Sequence, residues 1–387
     1  MQLIDELIGT LGSDRVRHHP LDLLIFAKDA GVQPGHVVAA VFPETTQEVA
    51  ALVRIAAHHR VPIVPRGAGT GLAGGAVPVE PGLLVVTTRL DEIGDVDEAG
   101  RCVWVGPGVV NLDLSMAVSD RGLHFAPDPS SQQACTIGGN VGTNAGGPHC
   151  LADGTTVAHV LAADIVTVDG EVVRVGSELP DAPGLYLRAV VVGSEGTLGI
   201  VTRVLVKLTD DPPDVATILL GFPTVREAAA TVSDVIGAGI VPAALEMMDR
   251  PMVEAVEKVV RAGYPLDAGA VLLVEVTGVT PAIAEDVDVI SRLASDRGAT
   301  TVRAATDDAE RALLWKGRKS AFGAVAQTAP DYYLHDTVVP RTKLVDVLTA
   351  IYAIAREHDL SMLNVFHAGD GNLHPCLLYT SPSPRDC

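Results

Sequence analysis

Three glycine-rich segments, each set beside an extended apolar run, constrain this chain more than any other feature. The first, Pro65-Arg66-Gly67-Ala68-Gly69-Thr70-Gly71-Leu72-Ala73-Gly74-Gly75, follows the strand pattern Val61-Pro62-Ile63-Val64. Gly69, Gly71 and Gly74 satisfy G-x-G-x-x-G, a pattern that must open a helix whose N-terminus receives a pyrophosphate. Pro78 and Pro81 follow too closely for such a helix, so the Rossmann reading fails. No Gly-Lys-Ser/Thr closes the loop, so a Walker A loop fails too. What remains is a run of unhindered amides beside one arginine. It suits a pyrophosphate, and taken alone it equally suits a turn between strands.

The second segment, Ile137 to Gly147, places amides, Asn140, Asn144 and the Thr143 hydroxyl at close spacing. It ends an aperiodic stretch from Asp128 to Gly147 that reads as one long loop, and such loops are usually functional. The third is Gly193-Ser194-Glu195-Gly196-Thr197-Leu198-Gly199, ahead of a strand from Val201 to Leu208. Three such loops in one domain point to a large phosphorylated cofactor. Around them, Thr45-Thr46-Gln47-Glu48 reads as a capping box, and Asp169-Gly170 as a hairpin turn. Asp210-Asp211-Pro212-Pro213 reads as a linker, beyond which strands and helices alternate regularly in an α+β, ferredoxin-like pattern.

Composition narrows the partners. With 28 basic against 48 acidic residues, the formal charge is −20. That field repels nucleic acid and anionic lipid, and aromatics at 4% leave little for base stacking. Five cysteines without a CxxC pair read as reduced thiols of a cytoplasmic protein. No run approaches the roughly 20 apolar residues of a membrane helix.

Arg66-Gly67-x-Gly69-Thr70-Gly71, Pro127-Asp128-Pro129-Ser130-Ser131, Gly138-Gly139-Asn140-x-x-x-Asn144-x-Gly146-Gly147 and Gly193-to-Gly199 stand in that order. Together they resemble the FAD-binding domain of the vanillyl-alcohol-oxidase/PCMH superfamily, in particular the glycolate oxidase subunit and D-lactate dehydrogenase group. The resemblance implies a two-subdomain, PCMH-type FAD-binding domain over 1–210 and a ferredoxin-like α+β, FAD-linked oxidase C-terminal domain over 211–375. It implies that FAD is held by Arg66, Gly67, Ala68, Gly69, Thr70, Gly71, Pro127, Asp128, Ser131, Gly138, Gly139, Asn140, Thr143, Asn144, Gly146 and Gly147, with Glu195, Gly196, Gly199, Ile200 and Val201 passing along the cofactor. Some relatives attach FAD through a His in the first loop. Thr70 stands thereabouts here, so non-covalent FAD is expected.

Phe366-His367-Ala368-Gly369-Asp370-Gly371-Asn372-Leu373-His374-Pro375 carries the sharpest catalytic signal. Asp370-Gly371 supplies a turn that lets His367 and His374 face each other from adjacent strands, and two imidazoles with a carboxylate suit a divalent metal. On spacing alone, a hairpin with two incidental histidines is the better reading. The resemblance reverses that: His-x-Gly-Asp-Gly-Asn-x-His is the family's metal motif, often for zinc. Arg318, in Trp315-Lys316-Gly317-Arg318-Lys319, is bland by itself but matches the family's substrate-carboxylate arginine.

A Glu ligand and a catalytic His normally follow in a later Gly-Glu-His segment, which is absent here. The C-terminal domain is therefore expected to be incomplete, and 376–387, with Ser381-Pro382-Ser383-Pro384, to be a non-native tail. The implied activity is oxidation of a small 2-hydroxy acid, with partner electron-transfer subunits carrying FAD or iron–sulfur centres. The alternatives are a non-catalytic flavin subunit or an inactive truncated copy.

Overall fold

The computed structural model describes residues 2–179, 183–329 and 331–379. They fall into two compact units, described separately below. The first comprises the residues up to Gly147 together with Gly154–Asp211; the second takes Pro148–Asp153 and the chain from Pro212.

In the first unit the strands Val37–Val41 and Ile63–Arg66 lie parallel to Gly82–Val86 between them, with Val16–Arg17 antiparallel at the edge. Helix Thr46–His59 makes the crossover between Val37–Val41 and Ile63–Arg66. It starts where the capping box places it, Thr45 Oγ1 accepting from the Glu48 amide. Val49, Leu52, Val53 and Ala56 bury its inner face with Leu7 and Leu11 of helix Gln2–Leu11. A second, five-stranded antiparallel sheet runs in the order Ile93–Asp97, Cys102–Val105, Ile200–Lys207, Val160–Val166, Val172–Gly176, and Leu123–His124 pairs separately with Thr209–Asp210. The last two strands of the five are joined at Asp169-Gly170, where Gly170 has φ 74°. No helix follows the first glycine segment before Gly82, in line with the prolines there.

The second unit is one antiparallel sheet. Strands Asp214–Phe222, Ala244–Asp249, Ala270–Gly278 and Thr301–Ala304 stand in the spatial order fourth, first, third, second, which is the ferredoxin-like arrangement. The hairpin Met362–His367 and Asn372–Tyr379 extends the sheet beyond Ala244–Asp249, followed by Asp331–Leu334. Helices cover both faces, so the strands are apolar on both sides. Val225–Gly237, Thr280–Asp296 and Leu344–Glu357 pack on Leu245, Met247, Leu272 and Phe366. Arg250–Val259, Asp308–Lys319 and Ala321–Val325 pack on Met248, Val271, Leu273 and Val365.

Residues 376–379, expected as foreign tail, continue strand Asn372–Tyr379. Leu377 pairs with both Met362 and Tyr333, and Cys376 is fully buried. Residues 380–387, including the Ser-Pro repeat, lie outside the described residues. Cys102, Cys135 and Cys376 are buried free thiols; burial pushes Cys135 up to about 11 and Cys376 to about 12. Among the described residues no helix is long and apolar enough to cross a membrane.

Candidate active site

The three glycine segments converge in the first unit. A Cβ on Gly67 would stand 2.3 Å from Thr136 Oγ1, so the first segment touches the second only because that position is glycine. The third joins them through the Gly193 amide donating to Val141 O and the Glu195 amide to Gly142 O, both at 2.8 Å. A Cβ on Gly196 would fall 2.1 Å from Pro65 Cγ, beside the first loop.

The stretch 128–147 is not the single loop expected: Ile137–Thr143 is a short helix. Thr136 caps it by accepting from the Gly139 amide at 3.3 Å, and Ile137 and Val141 bury one face. Cap and burial outweigh the cost of three glycines in a helix. Asn144 ends the helix in the left-handed region at φ 49°, its Oδ1 accepting from the Val157 amide at 2.9 Å, and Thr143 Oγ1 donates to Gly139 O.

The expected cofactor residues divide by what they already do. Arg66 is buried, and its guanidinium donates to the carbonyls of Lys28 (2.9 Å) and Ala76 (3.2 Å). It fastens the loop to its surroundings instead of pointing a charge outward. Pro127 O accepts from Asn111 Nδ2, Ser131 O closes a turn with the Ala134 and Cys135 amides, Ile200 is core, and Val201 pairs with Ile165. By contrast, the amides of Ala68, Gly69, Thr70 and Gly71 donate to no acceptor among the described residues. Asn140 Nδ2 is buried without a partner there. Unspent amides and an orphaned buried donor fit a phosphate-bearing cofactor.

In the second unit, His367 and His374 come together as the hairpin spacing implied. His367 stands opposite Asn372 and His374 opposite Val365, and Gly371 turns the chain at φ 81°. The two rings are perpendicular with centroids 5.1 Å apart. Burial, aided by His367 and Arg318, pushes His374 down to about 2, so it is a neutral imidazole throughout the physiological range. Asp336 Oδ1 lies 3.5 Å from His374 Nδ1. No carboxylate or thiol among the described residues completes a three-ligand set with the two rings.

The residue missed in the sequence is Glu246. It projects from strand Ala244–Asp249 onto the same sheet face and is 1% exposed. Its carboxylate accepts from His367 Nδ1 at 2.8 and 3.0 Å and pairs with Arg318, also 1% exposed, from helix Asp308–Lys319. Although ion-paired, none of the Arg318 guanidinium nitrogens makes a well-aligned hydrogen bond. The guanidinium thus keeps unspent donors in a buried setting. One strand further on, Glu275 accepts from His149 Nε2 (3.0 Å), Thr217 Oγ1 (2.7 Å) and Trp315 Nε1. Burial raises its carboxyl, but those three donors outweigh burial and hold it below its ordinary value. The Trp315 and Arg318 side chains of one helix thus each meet a buried glutamate. Tyr332 packs in the core of this face, and Tyr333 lies 4.6 Å from His335, ring to ring.

Comparison with known proteins agrees with both halves. Residues 37–176 match the FAD binding domain family, and residues 211–387 match the C-terminal domain of FAD linked oxidases. The chain is 47% identical over 346 residues to the glycolate oxidase subunit GlcD of Escherichia coli, covering 89% of this chain and 69% of that protein. It is 33% identical to the D-lactate dehydrogenase of Anaerostipes hadrus, covering 85% of this chain and 71% of that one. The crystal structure of p-cresol methylhydroxylase with substrate bound superimposes with a TM-score of 0.82 at 14% identity, covering 100% of this chain and 84% of that chain. At that identity the likeness is one of fold: a PCMH-type FAD-binding domain followed by an α+β oxidase domain.

Glu246→Ala strands the buried Arg318 charge. Urea unfolding should show a loss of about 3–5 kcal/mol, with Glu246→Gln losing less. A second outcome concerns pH. A carboxylate whose folded pKa is depressed contributes stability above its unfolded value, 4.5 for Glu275, and loses it as pH falls through the folded one. Glu275→Gln should therefore be less stable than the parent at pH 7 by about 1–3 kcal/mol. That gap should close as pH drops below 4.5 in parallel unfolding curves.

Proposed function

The chain belongs to the FAD-linked oxidases of the glycolate oxidase subunit and D-lactate dehydrogenase group, and we propose that it oxidises a small 2-hydroxy acid to the 2-keto acid. The observation that carries this reading is the buried Arg318–Glu246–His367 cluster with His374 beside it, in the oxidase domain of a FAD-binding chain. FAD, when bound, would supply the two-electron redox chemistry of such an oxidation. The converging amides at 68–71 and Asn140 hold its phosphates and edge, with Thr70 where an attaching His would stand. The flavin is therefore non-covalent.

Arg318 holds the substrate carboxylate, a pairing its planar fork favours over any lysine. Glu246 fixes the position of both partners. By accepting at His367 Nδ1 it keeps the proton there and leaves the Nε2 lone pair outward. His367 and His374 would hold a divalent cation, zinc by donor type, which would supply Lewis acidity toward the substrate hydroxyl. The neutrality of His374 supports that assignment. The E. coli relative is named as a subunit, which supports delivery of electrons to a partner subunit. The free thiols support a cytoplasmic location.

The purified chain should show a flavin spectrum that bleaches on anaerobic addition of glycolate or D-lactate. A colourless protein that takes up no FAD overturns the cofactor reading, and bound flavin that neither acid bleaches overturns turnover of these two substrates. Arg318→Lys should retain the flavin spectrum while kcat/KM falls on the order of 10²-fold, since a single ammonium replaces the fork. An unchanged kcat/KM removes Arg318 from the substrate site.

A further inference from the structure

A second group of side chains of metal-ligating type lies in the first unit and shares no residue with the glycine segments or the histidine hairpin. Glu6 projects from helix Gln2–Leu11, and His58 and His59 form the last turn of helix Thr46–His59. One ligand atom from each of the three lies within 4.8 Å of the others. The two imidazoles stand at 84° with centroids 5.1 Å apart. Glu6 Oε2 is 3.1 Å from His59 Nε2, yet the pair is not aligned as a hydrogen bond, and that buried nitrogen has no hydrogen-bond partner among the described residues.

The misalignment is informative. A hydrogen bond aims Nε2–H at the carboxylate oxygen. Two ligands of one ion instead lie side by side, each pointing at the ion. With metal–nitrogen and metal–oxygen distances of about 2.0–2.2 Å, tetrahedral neighbours fall roughly 3.3–3.6 Å apart, a few tenths of an ångström beyond the separation seen here. The setting favours a cation as well. The carbonyl end of a 14-residue helix carries partial negative charge, and the chain as a whole is strongly acidic.

We propose that Glu6, His58 and His59 form a binding site for a divalent first-row transition metal of the zinc class, with a fourth position open to water. Two imidazoles and one carboxylate disfavour magnesium and calcium, which take oxygen ligands. The ion ties the N-terminal helix to the end of the crossover helix. Their apolar contact already places Leu7 and Leu11 against Val49, Leu52, Val53 and Ala56.

The test uses the full flavoprotein, stripped with chelator, reloaded with zinc, dialysed and assayed for zinc per chain. His59→Gln should lose one equivalent relative to the parent. The hairpin variant His374→Gln should keep that equivalent, and zinc should raise its Tm. Adding zinc should leave the Tm of a His59→Gln, His374→Gln double variant unchanged. Equal zinc in His59→Gln and the parent, or none in His374→Gln, overturns the site. Should His59→Gln fail to fold, the half-exposed Glu6→Gln and the exposed His58→Gln read the same loss of zinc.

Discussion

A carboxylate buried in the middle of an apolar sheet face organises the second unit. Glu246 sits on a strand otherwise given to Leu245, Met247 and Met248, where an unpaired charge would cost several kcal/mol. It is tolerated because His367 and Arg318 reach it from two other elements. The arrangement works in both directions. Without Glu246 the arginine would be an uncompensated buried cation and His367 would lose the acceptor that orients its ring. Exchanging the cluster for leucines would cost little in stability and would erase the chemistry. That points to function as the reason such an expensive group is kept.

The first unit meets its demands by different means. The one arginine of the glycine segments, Arg66, is consumed by the carbonyls of Lys28 and Ala76, and the carboxylates there include those of Glu195 in the third segment and of Asp29, which accepts from the Gly74 amide. What it offers instead is backbone: amides left without acceptors in a loop whose glycines let three segments touch. A chain of net charge −20 can in this way hold a polyphosphate cofactor using neutral dipoles whose direction is fixed by the fold.

How much of this could be read beforehand follows from the range of each interaction. The hairpin was legible because His367, the Asp370-Gly371 turn and His374 are neighbours in sequence, so the turn alone brings the rings together. The capping box at Thr45 and the strand–helix alternation after Pro213 were legible for the same reason. Glu246 was not: in Ala244-Leu245-Glu246-Met247-Met248 it looks like the polar residue of an ordinary strand, and its partner His367 lies 121 residues away. The helix Ile137–Thr143 was hidden because glycine content speaks against helix locally, while the burial that secures it is tertiary. His149 carried no local signal either, since Glu275, the acceptor for its ring nitrogen, lies 126 residues away.

The ferredoxin-like strand order has a consequence for how the nascent chain behaves. Strands from Asp214 to Ala304 can pair among themselves as they leave the ribosome, before the hairpin Met362–Tyr379 has been made. Until then Ala244–Asp249 is an open sheet edge, apolar on both faces and free to recruit a strand from another molecule. Glu246 occupies the centre of that edge. While that edge is open, Glu246 is a hydrated negative charge of the kind that disfavours strand addition, and it becomes a buried hydrogen-bond acceptor only when the chain's own hairpin brings His367.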